Sequence, residues 1–129
     1  MVRKTNNPNK LLTQTELELM RILWHIGESS VHQVIEALPP DRPLAYTSVS
    51  TMLRVMAQKG FVTARKQGRG HLYRPAIARP DYESKSVDHL LEEVFEGAPL
   101  ALVARLLETR NLTAEELAEM RRLLETRGE

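Results

Sequence analysis

The apolar residues of this 129-residue chain change their spacing near Lys59, and that change limits the folds open to it. Before it, three segments carry apolar side chains three or four positions apart, the spacing of amphipathic helices. After it, two short segments typical of β-strands, 61–66 and 71–74, flank the glycine-containing loop Gln67-Gly-Arg-Gly70. The sequence therefore predicts three short helices followed by a β-hairpin.

Capping residues mark where these helices begin. Residues 13–16 and 30–33 both fit the capping box, in which two side chains satisfy free backbone N–H groups in the first turn. We expect helices that begin at residues 13, 30 and 46 and end at Gly27, before Pro39 and before Gly60. The apolar stripe of the third helix is predicted to face inward and consists of Val49, Met52, Leu53 and Met56.

The remaining part of the chain is predicted to be helical again. We expect a flexible tail over residues 1–10, a first domain over 11–78 and a helical domain over 79–129. The last domain has three apolar stripes but too few residues for a stable core of its own. It either packs on the first domain or, as we favour, pairs with a second chain. The predicted dimerisation residues are Val87, Leu91, Val94, Val103, Leu106, Leu117 and Leu124.

The formal net charge of +1 hides a division between the two parts of the chain. Residues 1–80 hold 12 basic and five acidic side chains, and the other 49 residues hold six basic and 12 acidic ones. A basic part joined to an acidic part suggests a polyanion-binding domain joined to something else. The chain has no cysteine, which excludes disulfides and thiolate chemistry. No nucleophile and base are paired, so we expect neither an enzyme nor a cofactor.

Three helices and a hairpin are the element order of a winged helix-turn-helix, which makes the predicted fold class mainly α. The third helix presents small hydroxyl side chains, which can approach base edges in the DNA major groove. The basic hairpin, or wing, suits phosphates or the minor groove. The predicted DNA-binding residues are Thr47, Ser48, Ser50, Thr51 and Arg54 on the helix and Arg65, Lys66 and Arg69 on the wing.

Two alternatives compete with this interpretation. A winged helix can serve as a protein-interaction module, whose binding would depend little on salt, whereas DNA binding weakens steeply as salt rises. A ligand- or metal-responsive DNA-binding regulator is the other alternative. Glu28, His32 and Glu36 lie near one face of the second helix and could bind a divalent metal, although a solvated helix face is the simpler interpretation.

Three motifs in order resemble the penicillinase and methicillin-resistance repressors. Leu12-Thr13-x-x-Glu16-x-x-Leu19-Met20-x-x-Leu23-Trp24 is similar to their opening helix. Ala45-Tyr-Thr-Ser-Val49-x-Thr51-x-Leu53, followed by Lys59-Gly60, is similar to their recognition helix, and Tyr73-x-Pro75 to the close of their wing. The likeness extends from about Leu11 to the C-terminus.

This resemblance implies a bacterial repressor that binds a palindromic operator as a homodimer and controls a resistance or stress-response operon. It implies that Thr47, Ser48 and Thr51 read the groove and that residues 80–129 form an intertwined dimerisation domain. We expect a cytoplasmic protein, since the chain has neither a signal peptide nor a membrane span.

The resemblance also makes a membrane sensor protease a candidate partner. In the β-lactam-responsive members such a protease cleaves an Asn-Phe bond in the second C-terminal helix. The corresponding place here is Arg105-Leu106, so this chain departs from the family pattern. The copper-responsive relatives end with a Cys-rich motif, which the absence of cysteine excludes.

Overall fold

The computed structural model describes residues 11–127. Three helices come first and a β-hairpin follows, which is the winged-helix order and confirms the predicted fold class. The tail predicted over residues 1–10 lies outside the described residues. In chain order the elements are α1 (Gln14–Ile26), β1 (Ser29–Ser30), α2 (Val31–Glu36), α3 (Tyr46–Gln58), β2 (Val62–Gln67), β3 (Gly70–Pro75), α4 (Arg79–Glu93), α5 (Pro99–Thr109) and α6 (Ala114–Arg127).

Both predicted capping boxes are present. At α1, the Glu16 N–H donates to Thr13 Oγ1 (3.2 Å) and the Thr13 N–H donates to Glu16 Oε1 (2.9 Å). Ser30 and Gln33 make the same reciprocal pair at the start of α2. Gly27 ends α1 with a φ of +83°, a backbone conformation that glycine adopts without the penalty other residues incur.

The wing belongs to a three-stranded antiparallel sheet in the order β1-β3-β2. The outer strand β1 has only two residues, and it pairs Ser29 with Tyr73 and Ser30 with Leu72. This strand was not predicted from the sequence, because two residues cannot display a periodic pattern. Its pairing fixes the connection between α1 and α2 against the wing.

The core of the first domain lies among α1, α2, α3 and the wing. All three residues that α3 contributes to this core were predicted to face inward. Met52, expected to face inward with them, is only half-buried, because it lies at the edge of the apolar stripe. The fully buried side chains are Leu19, Met20, Leu23, Val34, Val49, Leu53, Met56 and Val62.

The chain divides into two compact units, and the division falls between Ser86 and Val87. The first unit extends past residue 78 because Tyr82 of α4 packs into its core. The Leu12 N–H donates to the Tyr82 hydroxyl (3.0 Å), and the Tyr82 ring lies 5.7 Å from that of Phe61 between centroids. The start of α4 thus completes the winged helix.

The second unit, taken by itself, has no buried side chain among residues 87–127. Its helices nevertheless carry apolar stripes. Leu91 is half-buried, and the other six predicted dimerisation residues are exposed, from 39% for Val103 and Leu117 to 71% for Leu124. None of the helices in residues 11–127 is long and apolar enough to cross a membrane.

Candidate nucleic-acid interface

The outer face of α3 carries the predicted helix residues. Since each residue of a helix turns by about 100°, Thr47, Thr51 and Arg54 fall on the side opposite the buried Val49 and Leu53. All three are exposed. The core contacts of α3 therefore leave this row open to a partner.

A shallow open depression of about 460 Å³ lies against this face of α3. It is lined by Thr47, Ser48, Thr51 and Met52, so three of the predicted groove-reading hydroxyls meet at one place. Ser50 is half-buried at the opposite flank and does not line the depression. Met52 adds an apolar contact that the sequence analysis assigned to the core.

The hydroxyl groups of α3 are not used to start the helix. Ala45 is the N-cap, and it makes no side-chain capping hydrogen bond. Thr47 and Ser48 lie inside the first turn, where backbone N–H groups lack helical partners. Such a helix start favours anions, and phosphate above all. This feature was missed because a Ser or Thr near a helix start is more often its cap.

The wing places its basic residues on different faces. Arg65 lies opposite Leu72 and Lys66 lies opposite His71 in the β2–β3 register. Since side chains alternate along a strand, Arg65 and Lys66 point to opposite sides of the sheet. Arg69 stands at the tip, next to Gly68 with a φ of +61°.

Among the residues that the structure describes, neither the Lys66 nor the Arg69 side chain makes a hydrogen bond or an ion pair. Both side chains are exposed. They are free to meet a phosphate without first breaking another contact.

Arg65 is held by a partner that the sequence analysis did not assign to it. Its Nη2 donates to Glu28 Oε1 (2.9 Å) and its Nε donates to Glu28 Oε2 (3.3 Å), which makes a two-point contact. The hydrogen bond from Arg65 lowers the pKa of Glu28 and raises that of Arg65. Because 37 positions separate the two residues, only the sheet order brings them together.

Aromatic side chains pack between α2 and α3. The His32 ring lies 4.8 Å from the Tyr46 ring between centroids. Burial raises the pKa of Tyr73, and the positive charge of Arg54 opposes that rise.

Two of the three candidate metal ligands on and near α2 make other contacts. Glu28 binds Arg65 and His32 packs on Tyr46. Across residues 11–127, no group of three or more His, Asp or Glu side chains could hold a metal ion.

A winged helix with an exposed hydroxyl row on its third helix and a basic wing is the arrangement typical of DNA-binding proteins of the helix-turn-helix class. The sequence model of the penicillinase repressor family matches residues 12–126. The chain belongs to that family, as the three sequence motifs indicated, and it is a DNA-binding transcriptional repressor and not an enzyme.

Two relatives found by sequence agree with this assignment. The chain is 28% identical to the penicillinase repressor of Bacillus licheniformis over 114 residues, which cover 88% of this chain and 89% of the relative. It is 34% identical to the transcriptional regulator BlaI of Mycobacterium tuberculosis over 115 residues, covering 88% and 82%. The solution structure of the DNA-binding domain of the repressor BlaI matches with 27% identity and a TM-score of 0.49, covering 63% of this chain and 94% of that domain.

Proposed function

We propose that this protein represses transcription as a homodimer that binds a palindromic operator, with one α3 in the major groove of each half-site. The observation that carries this proposal is the depression on α3. Thr47, Ser48 and Thr51 surround it with exposed hydroxyl groups that no capping role occupies. Hydroxyl groups and threonine methyls are suited to base edges in the major groove.

The wing supplies the sequence-independent part of the binding. Lys66 and Arg69 are exposed and unpaired among the described residues, and Arg65 keeps part of its guanidinium open. Cations at these positions would neutralise phosphates on either side of the groove, and they would make the affinity fall as salt rises.

The exposed stripes of the second unit support the homodimer. Four large apolar side chains within about 40 residues each expose more than 60% of their surface, which is unusual: Val94, Leu100, Leu123 and Leu124. Pairing with the same surface of a second chain would bury them. A two-fold dimer would also place two recognition helices on half-sites one turn of DNA apart.

The names of the relatives bear on the regulated genes. The relatives are a penicillinase repressor and methicillin resistance regulatory proteins, so we propose a resistance operon as the target. A repressor of that operon acts in the cytoplasm, where the DNA lies.

Selection of bound duplexes from a random-sequence library, followed by footprinting, tests this function. We expect a sequence with two inverted halves, protected by two chains per duplex. We also expect a dimer by sedimentation at micromolar concentration. A selected site without inverted symmetry, or a protein that sediments as a monomer both free and on DNA, would contradict the proposal.

A membrane sensor protease as the releasing partner is a separate part of the proposal. The Arg105–Leu106 bond lies inside α5, where Leu106 is 43% exposed and the Thr109 hydroxyl donates to the Arg105 carbonyl (2.9 Å). A protease would have to unwind α5 locally to reach this bond. Mass spectrometry of the repressor from cells treated with a β-lactam tests it, and an intact chain in derepressed cells would contradict it.

A further inference from the structure

The ion pair between Glu28 and Arg65 crosses the central strand of the small sheet. Glu28 directly precedes β1, and Arg65 lies on β2, with β3 between the two strands. The pairing of Ser30 with Leu72, and of Leu72 with Arg65, places these three side chains on one face. Glu28 reaches Arg65 over that face. Arg65 thus stands on backbone that the sheet hydrogen bonds hold in place, and Glu28 is joined directly to the first residue of β1.

The geometry uses only one edge of the arginine. A guanidinium has five N–H donors, and Glu28 takes one from Nε and one from Nη2. Both donors on Nη1 and the second donor on Nη2 stay open. The Arg65 side chain is 60% exposed and that of Glu28 is 32% exposed, so the carboxylate lies on the more covered side of the pair.

A free arginine on a hairpin loses much rotational freedom when it binds a phosphate, and that loss opposes binding. An arginine already held by a carboxylate has lost part of that freedom before binding. The carboxylate also selects which edge of the guanidinium faces outward. Buttressing of this kind is a common way to hold a binding group in its productive orientation.

We propose that Glu28 is a positioning residue for DNA binding: it holds the inner edge of the Arg65 guanidinium so that the outer edge faces a backbone phosphate. The proposal deepens the proposed function and rests on it, since it takes the wing to contact DNA. It predicts an unusual direction for the change in DNA affinity when an acidic side chain is removed. An acidic residue near DNA normally opposes binding, so its removal should tighten binding. Removal of Glu28 should instead weaken it.

The experiment measures the affinity of full-length variants by fluorescence anisotropy. The probe is a duplex that the full-length wild-type protein selects from a random-sequence library. We expect Glu28→Gln to weaken binding by about three- to tenfold, the range that coupling between contacting charged side chains commonly gives. In an Arg65→Ala background the same substitution should leave the affinity unchanged, since the guanidinium that donates hydrogen bonds to Glu28 is gone.

Glu36→Gln is the matched control for charge. Glu36 is an exposed acid at the end of α2, and it makes no described hydrogen bond or ion pair. Its neutralisation should leave the affinity unchanged or raise it slightly. Arg65→Lys tests the two-point contact itself, because lysine keeps the positive charge but cannot donate two hydrogen bonds to one carboxylate in this geometry. We expect Arg65→Lys to weaken binding and to abolish the effect of Glu28→Gln.

The outcomes separate this proposal from the function on which it rests. Tighter binding by Glu28→Gln, or equal weakening in both backgrounds, overturns the positioning role. Arg65→Ala that changes neither the affinity nor its dependence on salt overturns the contact between Arg65 and DNA, and with it this inference. Each variant should keep the thermal midpoint of the wild type, since both side chains are exposed, and that measurement shows that every variant is folded.

Discussion

Lys59 Nζ lies 2.7 Å from Glu16 Oε1, so the C-terminal end of α3 is tied to the first turn of α1. The side chains are only 14% and 6% exposed. The same Glu16 oxygen accepts the Thr13 N–H of the capping box. One carboxylate therefore caps α1 and sets the position of α3 relative to it.

Removal of the Lys59 ammonium should destabilise the first unit. Lys59→Met leaves the Glu16 carboxylate buried without its ion partner, and we expect a loss of about 3 kcal/mol, the size found when one member of a buried pair is removed. Urea unfolding followed by the fluorescence of Trp24 measures it. Gln33→Glu is the control, because it alters the other capping box without a buried cation, and it should change stability by less than about 0.5 kcal/mol. Equal effects of the two variants would show that the ion pair contributes nothing.

Thr51 is expected to read bases. Thr51→Ala should weaken binding to the selected operator by about 1–3 kcal/mol per lost base contact and should leave binding to random DNA nearly unchanged. Ser48→Ala should act in the same way. Ser84→Ala, at an exposed position of α4, is the matched control and should leave the affinity for both DNAs unchanged. Equal losses on operator and random DNA would show that these hydroxyls do not contact base edges.

Arg69 at the tip of the wing is expected to contact phosphate. Arg69→Ala should lower the affinity for every sequence and should reduce the slope of log K against log salt by about one for each lost contact. Titrations at several salt concentrations measure the slope. Arg110→Ala, which removes an exposed arginine of the second unit, should leave the slope as it is. An unchanged slope for Arg69→Ala would place the wing tip away from DNA.

The boundary between the units predicts how truncated chains behave. A fragment of residues 1–86 keeps Tyr82, so it should fold as a monomer and bind a half-site weakly. It should lose most of the avidity for a full palindrome, which linkage of two sites raises by about 10²–10⁴-fold. Sedimentation and DNA titration measure both properties. A fragment that binds the palindrome as tightly as the whole chain would contradict the role of the second unit.

A fragment ending at Pro80 provides the comparison. It lacks the Tyr82 ring that packs against Phe61 and the hydroxyl that accepts the Leu12 N–H. Loss of a buried aromatic side chain costs about 3–5 kcal/mol, so this fragment should unfold at a clearly lower temperature than the fragment of residues 1–86. Equal thermal midpoints would show that α4 contributes nothing to the first core.

Tyr73 should make the first unit less stable at alkaline pH. Burial raises its pKa above the ordinary value of 10.0, so the folded state favours the protonated phenol. The stabilisation from the buried Tyr73 phenol is present below the pKa that this group has in the unfolded chain. It is lost as the pH rises through the higher pKa that the group has in the folded protein. Urea midpoints should therefore fall above about pH 10 more steeply for the wild type than for Tyr73→Phe. Parallel curves for the two proteins would contradict this origin.

The sequence by itself determined the three helices and the β-hairpin of the first domain. The capping boxes at Thr13 and Ser30 and the change of spacing near Lys59 are local signals. They act through backbone N–H groups and side chains a few positions apart, so no tertiary contact is needed to recognise them. The hydroxyl row of α3 follows in the same way, because helical geometry separates Thr47 and Thr51 from Val49 and Leu53.

Only the tertiary structure decided which distant residues meet. The contacts between Glu28 and Arg65, between Glu16 and Lys59, and between Leu12 and Tyr82 span 37, 43 and 70 positions. Each depends on how the sheet and helices pack, and no local pattern carries that information. The same reason explains the strand β1, which exists because β3 offers it backbone partners, and the half-buried Met52, whose exposure depends on how much of α3 the neighbouring helices cover.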